Sequence, residues 1–139
     1  MRELPRQLSA GELAPLFSGR TRLVDELAGR EHPLDIAEET ALALAEDDQV
    51  AALAAHPRIG EPSEEQRGAE PEVLAELERL NEEYERRFGF SFVVFVNGRT
   101  RAELVPVLRE RLVRTRAEEL EAGLRALCEI ARDRWTRTT

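Results

Sequence analysis

Apolar residues recur at the spacing of amphipathic α-helices along most of the chain. The strongest pattern begins near Glu72 and stops at Gly89, a residue type that commonly ends helices. Its apolar positions are Val73, Leu77, Leu80, Tyr84 and Phe88. The last third repeats the pattern twice, first through Leu104, Val105, Leu108 and Leu112, and then through Ala117, Leu120, Leu124, Leu127, Ala131 and Trp135. These patterns predict an all-α, compact multi-helix bundle, with a single domain over residues 1–139.

Helix-start signals divide the first half of the chain into short helices. Ser9 and Glu12 have the spacing of a capping box, which predicts a short helix toward Phe17. Further helices are predicted at about 21–28, from a cap at Asp35, and from a cap at Asp47 or Asp48. The last of these should end at His56, because Pro57 disfavours helical geometry in the residue before it.

The segment Phe90–Val96 departs from the helical pattern. It is an apolar, β-prone run closed by Asn97-Gly98, a dipeptide typical of hairpin turns. Propensity alone favours a strand here, but no second strand is apparent to pair with it. We therefore predict a buried connector that is extended or tightly turned.

The composition excludes most cofactor chemistry. All 20 basic residues are arginine, so the chain has no lysine for a Schiff base or for a phosphate-binding P-loop. Two histidines and one cysteine, without an HExxH or CxxC motif, do not make a typical zinc site, so we expect no metal and no other cofactor. The functions that remain are cofactor-free acid/base chemistry and that of a binding module. Cys128 is expected to be a small buried hydrophobe.

Charge and hydropathy limit the partners and the location. The net charge of −8 disfavours contact with a phosphate backbone, so we expect no nucleic-acid partner. No window approaches the roughly 18 apolar residues of a transmembrane helix, and the N-terminal residues show no signal peptide. These features predict a cytoplasmic protein without a membrane partner.

The most promising chemistry lies between His56 and Gln66. His56 precedes a loop with proline and glycine, and an imidazole exchanges protons near neutral pH. Ser63 is spaced to cap the next turn, in which Glu65, if it faces inward, can orient or charge His56. The alternatives are structural: a cationic histidine at a helix C-terminus and acidic residues at a helix N-terminus both stabilise helices.

Two further groups have both a functional and a structural interpretation. The Phe88–Phe92 cluster could form one wall of a binding site for a planar heterocycle, or it could pack in the core. Arg111 and Arg114 stand three residues apart, which predicts that they share one helix face. They could form a fork for a carboxylate or a planar imide, or they could be ordinary surface charges.

Taken together, these residues closely resemble one family. The motifs stand in the order His56–Gly60, Glu65-Gln66, Leu80–Tyr84, Phe88–Val93 and Arg111-Leu112. In this order they resemble the 2-oxo-4-hydroxy-4-carboxy-5-ureidoimidazoline (OHCU) decarboxylases, the last enzymes of the uricase route from urate to (S)-allantoin. The resemblance is clear from about Leu53 to Ala131.

The resemblance implies an all-helical, cofactor-free carboxy-lyase that forms a homodimer and decarboxylates OHCU to (S)-allantoin. His56 matches the catalytic histidine of the family, and Glu65 matches its catalytic glutamate. The resemblance assigns substrate binding to Pro57, Gln66, Phe90, Phe92, Val93, Val94 and Arg111. In the segment from Phe90 to Val94, these contacts are expected from backbone groups.

Three positions depart from the family motifs and leave alternatives open. Leu34 replaces a phenylalanine, Pro62 replaces a serine, and Arg114 replaces an asparagine. The first alternative is a related cofactor-free lyase or hydrolase that acts on another ureido or imidazolinone compound. The second is a non-catalytic helical module that binds a partner.

Overall fold

In the part of the chain that the structure describes, the helical pattern of the sequence is realised as seven α-helices. The computed structural model describes residues 3–57 and 70–137, and within these two ranges it contains no β-strand. The helices are α1 (Ala10–Leu13), α2 (Arg22–Leu27), α3 (Pro33–Ala43), α4 (Glu46–Ala54), α5 (Pro71–Phe88), α6 (Arg101–Leu112) and α7 (Arg116–Arg137). The prediction of an all-α, compact multi-helix bundle is confirmed. None of the described helices has the length and apolarity that crossing a bilayer requires.

Helix α7 links the N-terminal helices to α5 and α6, because its Glu119 accepts hydrogen bonds from Tyr84 and Arg111. It packs against α3 and α4, while α5 packs against α6. Gly123 permits the close approach to α4, because a Cβ at this position would lie 3.2 Å from Cδ2 of Leu53. Leu53, Leu124 and Leu127 are buried where these helices meet. Cys128 is also buried, as predicted, and burial raises the pKa of its thiol to about 12.

The predicted helix starts are partly confirmed. The capping box of Ser9 and Glu12 is present, but α1 ends at Leu13, and turns lead on to Phe17. The predicted cap at Asp35 is wrong, because α3 already begins at Pro33, whose fixed φ suits the first helical position. The cap predicted at Asp47 or Asp48 is also wrong, because both residues lie in the first turn of α4. Acidic side chains favour the first turn of a helix as well as its cap.

The apolar segment after α5 forms the predicted connector. Gly89 ends α5 with φ 82°, in the left-handed region that favours glycine. The chain then runs from Phe90 to Val96 without strand pairing, and most of its side chains are buried. Asn97 and Gly98 both have positive φ, and the Arg99 amide donates to the Val96 carbonyl at 3.0 Å. The Asn-Gly turn therefore forms, but it leads into α6 rather than into a second strand.

Replacing Gly89 by alanine should destabilise the protein by about 1–2 kcal/mol, because an L-residue is strained in the left-handed region. The added methyl group would meet no atom within 4 Å, so backbone strain is the expected cost. Urea unfolding measures the effect, and Gly11→Ala is the control, since its Cβ would find Ser9 Oγ no nearer than 3.8 Å. Equal unfolding free energies for Gly89→Ala and the wild type would contradict this account.

Candidate active site

His56 stands just beyond the C-terminal end of α4. Its backbone N–H donates to the Leu53 carbonyl at 3.1 Å, which fixes the residue against the last helical turn. The half-buried imidazole places Nδ1 3.3 Å from Oγ of Ser18. Ser18 lies in the turn between α1 and α2, with φ 64°. Pro57 follows His56 and is exposed.

Arg134 of α7 reaches the same turn. Its Nη1 donates to Ser18 Oγ at 2.8 Å, to the Pro15 carbonyl at 3.1 Å and to the Leu16 carbonyl at 3.0 Å. Three separate parts of the chain therefore converge: the end of α4, the turn after α1, and the last turns of α7.

Burial and the nearby cation keep His56 neutral. Loss of hydration and then the positive charge of Arg134 lower the pKa of His56 from 6.5 to about 4. The imidazole is therefore uncharged at pH 7. The alternative that His56 acts as a cation on the α4 dipole is wrong at this pH.

The lowered pKa predicts a specific acid sensitivity. The unfolded chain binds the His56 proton near pH 6.5 and the folded chain only near pH 4, so the unfolded state binds more protons between these values. His56 therefore contributes stability above pH 6.5 that is lost as the pH falls through this window. Urea unfolding from pH 7 to pH 4 should show a steeper loss for the wild type than for His56→Asn. Parallel losses would argue against a desolvated His56.

Ser18 and Arg134 were missed in the sequence analysis. The turn that carries Ser18 has no signature linking it to His56, because the contact depends on how this turn packs against the end of α4, where a Cβ at Gly19 would lie 3.6 Å from Cβ of Ala55. Arg134 does carry a weak signal, since it lies four residues after Ile130 and seven after Leu127, both buried. This spacing places an arginine on the inward side of α7.

A second polar cluster lies under the connector and is centred on Glu119 of α7, which has no exposed surface. Oε1 accepts hydrogen bonds from the Tyr84 hydroxyl at 2.8 Å and from Arg111 Nε at 2.6 Å. Oε2 lies 3.4 Å from Arg114 Nη1. Burial, followed by the hydrogen bond to Glu119, raises the pKa of Tyr84 well above its usual range. Glu119 also escaped the sequence analysis, although it lies four residues before the buried Gly123.

Arg111 connects this cluster to the connector. Its Nη1 donates to the Val93 carbonyl at 3.2 Å, and its guanidinium lies 4.7 Å from the centroid of the Phe92 ring. Nη2 is buried and has no hydrogen-bond partner among the described residues. The prediction that Arg111 and Arg114 share a helix face is wrong, because α6 ends at Leu112. The two arginines instead converge on Glu119.

The aromatic residues of the connector pack mainly on each other. The Tyr84 ring lies 5.1 Å from that of Phe92 and 6.0 Å from that of Phe90, between centroids. Both phenylalanines are almost fully buried, as are Val93 and Val94. The core-packing interpretation of the cluster is therefore confirmed.

A cavity of about 470 Å³ adjoins this segment. It is open to solvent, and Val94 and Arg111 line it together with Phe95, Asn97, Ala126 and Glu129. Two residues assigned to substrate binding therefore share one concave surface. No group of three potential metal ligands occurs in the described ranges 3–57 and 70–137. Glu65 and Gln66, like Pro62 and Ser63, lie outside the described residues.

Comparison with known proteins confirms the family that the motifs suggest. A family model described as OHCU decarboxylase matches residues 10–136. The chain is 32% identical over 100 residues to the uric acid degradation bifunctional protein PucL of Bacillus subtilis (strain 168). That match covers 63% of this chain but only 20% of PucL.

Two solved structures share the fold. The first is OHCU decarboxylase crystallised in the presence of (S)-allantoin, with a TM-score of 0.74 and 25% identity, over 84% of this chain and 89% of that one. The second is (S)-allantoin synthase, with a TM-score of 0.70 over 94% of this chain and 50% of that one. At 19% identity, the second likeness concerns the fold alone.

Proposed function

The chain belongs to the OHCU decarboxylase family, and from this membership we propose that it is a carboxy-lyase converting OHCU to (S)-allantoin in urate degradation. The observation that carries the proposal is the position of the half-buried His56, whose Nδ1 lies 3.3 Å from Ser18 Oγ, which in turn accepts a hydrogen bond from Arg134. In this family the corresponding motif position is the catalytic histidine, so the local environment suits the assigned role.

The proposed reaction balances without a cofactor. The bond between the ring carbon and the carboxylate breaks, CO₂ leaves, and the electron pair of that bond passes into the ring imine. The imine nitrogen and the carbon that carries the ureido group each take up a proton, and the ring hydroxyl gives up its proton as it becomes the ring carbonyl. The net uptake is therefore one proton. Because the substrate provides its own electron sink, the protein has to orient it, stabilise the developing charge and deliver the proton to one face.

We assign the catalytic roles to His56 and Glu65. His56 assists the loss of CO₂ and controls proton delivery, while Glu65 orients the imidazole. Arg134 belongs to the same site, because its guanidinium acts on His56 and its positive charge attracts an anionic substrate. Proton delivery from one face then gives the (S) product.

Substrate binding is proposed for Pro57, Gln66, Arg111 and the backbone of the connector from Phe90 to Val94, including Phe92 and Val93. Within the described ranges, the buried amides of Phe92, Val93 and Val94 make no hydrogen bond. Buried backbone donors are normally paired, so these amides are well suited to the polar atoms of a ureido group or ring. The unpaired Nη2 of Arg111 adds a buried donor of the same kind.

The resemblance further suggests a homodimer that works in the cytoplasm on a small-molecule substrate. Sedimentation equilibrium of the full chain tests the oligomeric state. A mass near 31 kDa, about twice that of the 15.7 kDa chain, is expected. A monomer at all concentrations would contradict the dimer without affecting the proposed reaction.

The proposed reaction is tested with OHCU generated from ¹³C-labelled urate by uricase and hydroxyisourate hydrolase. We expect the protein to accelerate the loss of OHCU and the release of CO₂ above the spontaneous rate, as followed by ¹³C NMR. A parallel panel of ureido and imidazolinone compounds tests the alternative substrates. Turnover of one of these without OHCU turnover would replace the proposal, and binding without turnover would favour a non-catalytic module.

A further inference from the structure

Ser18 bridges Arg134 and His56 in a way that restricts its hydroxyl hydrogen. Within the described part of the chain, Ser18 Oγ has two hydrogen-bonding neighbours, Arg134 Nη1 at 2.8 Å and His56 Nδ1 at 3.3 Å. A guanidinium nitrogen can only donate, so Oγ accepts the hydrogen bond from Arg134. The hydroxyl hydrogen then has one neighbour able to accept it, which is Nδ1 of His56.

We propose that Ser18 is a positioning residue that holds His56 in the tautomer protonated on Nε2. In the other tautomer, Nδ1 would donate to Ser18, and Oγ would accept from two donors while its own hydrogen lacked an acceptor among the described residues. A half-buried hydroxyl whose hydrogen is unpaired is unfavourable. The arrangement with Nδ1 as acceptor satisfies all three groups.

The turn around Ser18 is built to hold this geometry. Ser18 has φ 64°, a conformation that costs free energy for any residue other than glycine. The Gly19 amide donates to the Ala14 carbonyl at 2.9 Å, and Arg134 binds the carbonyls of Pro15 and Leu16. These bonds fix the turn on both sides of Ser18, so its side chain is directed at His56 despite the strain.

The tautomer decides what His56 offers to a ligand, and this consequence rests on the proposed function. With Nδ1 occupied by Ser18, the other ring nitrogen carries a hydrogen. His56 therefore begins each turnover as a neutral imidazole whose one N–H, on Nε2, is the group from which the Glu65 carboxylate or the substrate can accept a hydrogen bond. A donor at this point stabilises the atom that receives the electron pair as CO₂ leaves.

The tautomer is measurable by ¹⁵N NMR of the imidazole nitrogens at pH 7 without substrate. The chain has only two histidines, and His32→Asn assigns the signals. We expect Nδ1 of His56 to show the shift of an unprotonated nitrogen and Nε2 that of a protonated one. Protonation on Nδ1, or an even mixture of tautomers, would overturn the proposal.

Ser18→Gly separates positioning from folding, because it removes the hydroxyl while easing the strain of a positive φ. We expect stability to be unchanged or higher, the tautomer preference of His56 to weaken, and kcat to fall roughly five- to tenfold at nearly constant KM, the effect of losing one ordinary hydrogen bond. An unchanged tautomer in Ser18→Gly would refute the role of Ser18. Failure of the wild type to turn over OHCU would count against the proposed function and leave the tautomer result standing.

Discussion

His56→Ala should lower kcat/KM for OHCU by at least about 10²–10⁴-fold, the typical contribution of a positioned group that transfers protons. The imidazole is desolvated and neutral at pH 7, so the variant loses a group whose properties are set by this site. The loss should appear mainly in kcat, because the proposed binding contacts of the connector and Arg111 remain. Steady-state kinetics on OHCU generated in situ measures it.

His32 provides the matched control for this variant. It also precedes a proline, but it is exposed and stands at the start of α3. The amides of Asp35 and Ile36 donate hydrogen bonds to its backbone carbonyl and not to its imidazole. His32→Ala should therefore keep near-normal turnover. Near-normal turnover in His56→Ala, with an unchanged helical circular dichroism spectrum, would remove His56 from the catalytic role.

Glu119→Ala should destabilise the protein by about 3–5 kcal/mol, which is the usual cost of removing one partner from a buried ion pair. Arg111 would be left as a buried charge without its carboxylate, and the Tyr84 hydroxyl would lose its acceptor. A loss of this size is a large fraction of the roughly 5–15 kcal/mol that stabilises a typical domain. Urea unfolding at pH 7 measures it.

An exposed ion pair gives the comparison for Glu119. Glu31 contacts Arg6 at 2.8 Å with both side chains largely in solvent, so Glu31→Ala should cost no more than about 1 kcal/mol. Glu119→Gln keeps the shape and one acceptor oxygen, and we expect it to lie between the two. If Glu119→Ala were no more destabilising than Glu31→Ala, the Glu119 cluster would not support the connector as described.

Local sequence signals explain why the helices could be predicted better than their first residues. The apolar repeat through Leu77, Leu80 and Tyr84 is best explained by an amphipathic helix that ends at Gly89. The first residue of α3 was harder to predict. Proline and aspartate both favour the first turn of a helix, so either residue could be taken as its start. The connector was predicted correctly because a single apolar run had no partner strand.

The site was less accessible to sequence reasoning, because its contacts join distant parts of the chain. His56 could be found from its own loop, whereas Ser18 and Arg134 become its neighbours only through the packing of α4 and α7. The sequence suggested that Arg111 was part of an arginine fork for a ligand, or an ordinary surface charge. In the structure, its Nε donates a hydrogen bond to the Glu119 carboxylate. The spacing of the arginines gives no indication that their partner is a buried carboxylate on another helix.

The most direct test of the proposed decarboxylase activity follows the circular dichroism of allantoin while OHCU is produced from urate by uricase and hydroxyisourate hydrolase. With the wild-type protein, we predict that the (S)-allantoin signal rises faster than spontaneous decay allows, and that His56→Ala abolishes the acceleration. Racemic allantoin formed at the spontaneous rate in the presence of folded wild-type protein would contradict the proposed function.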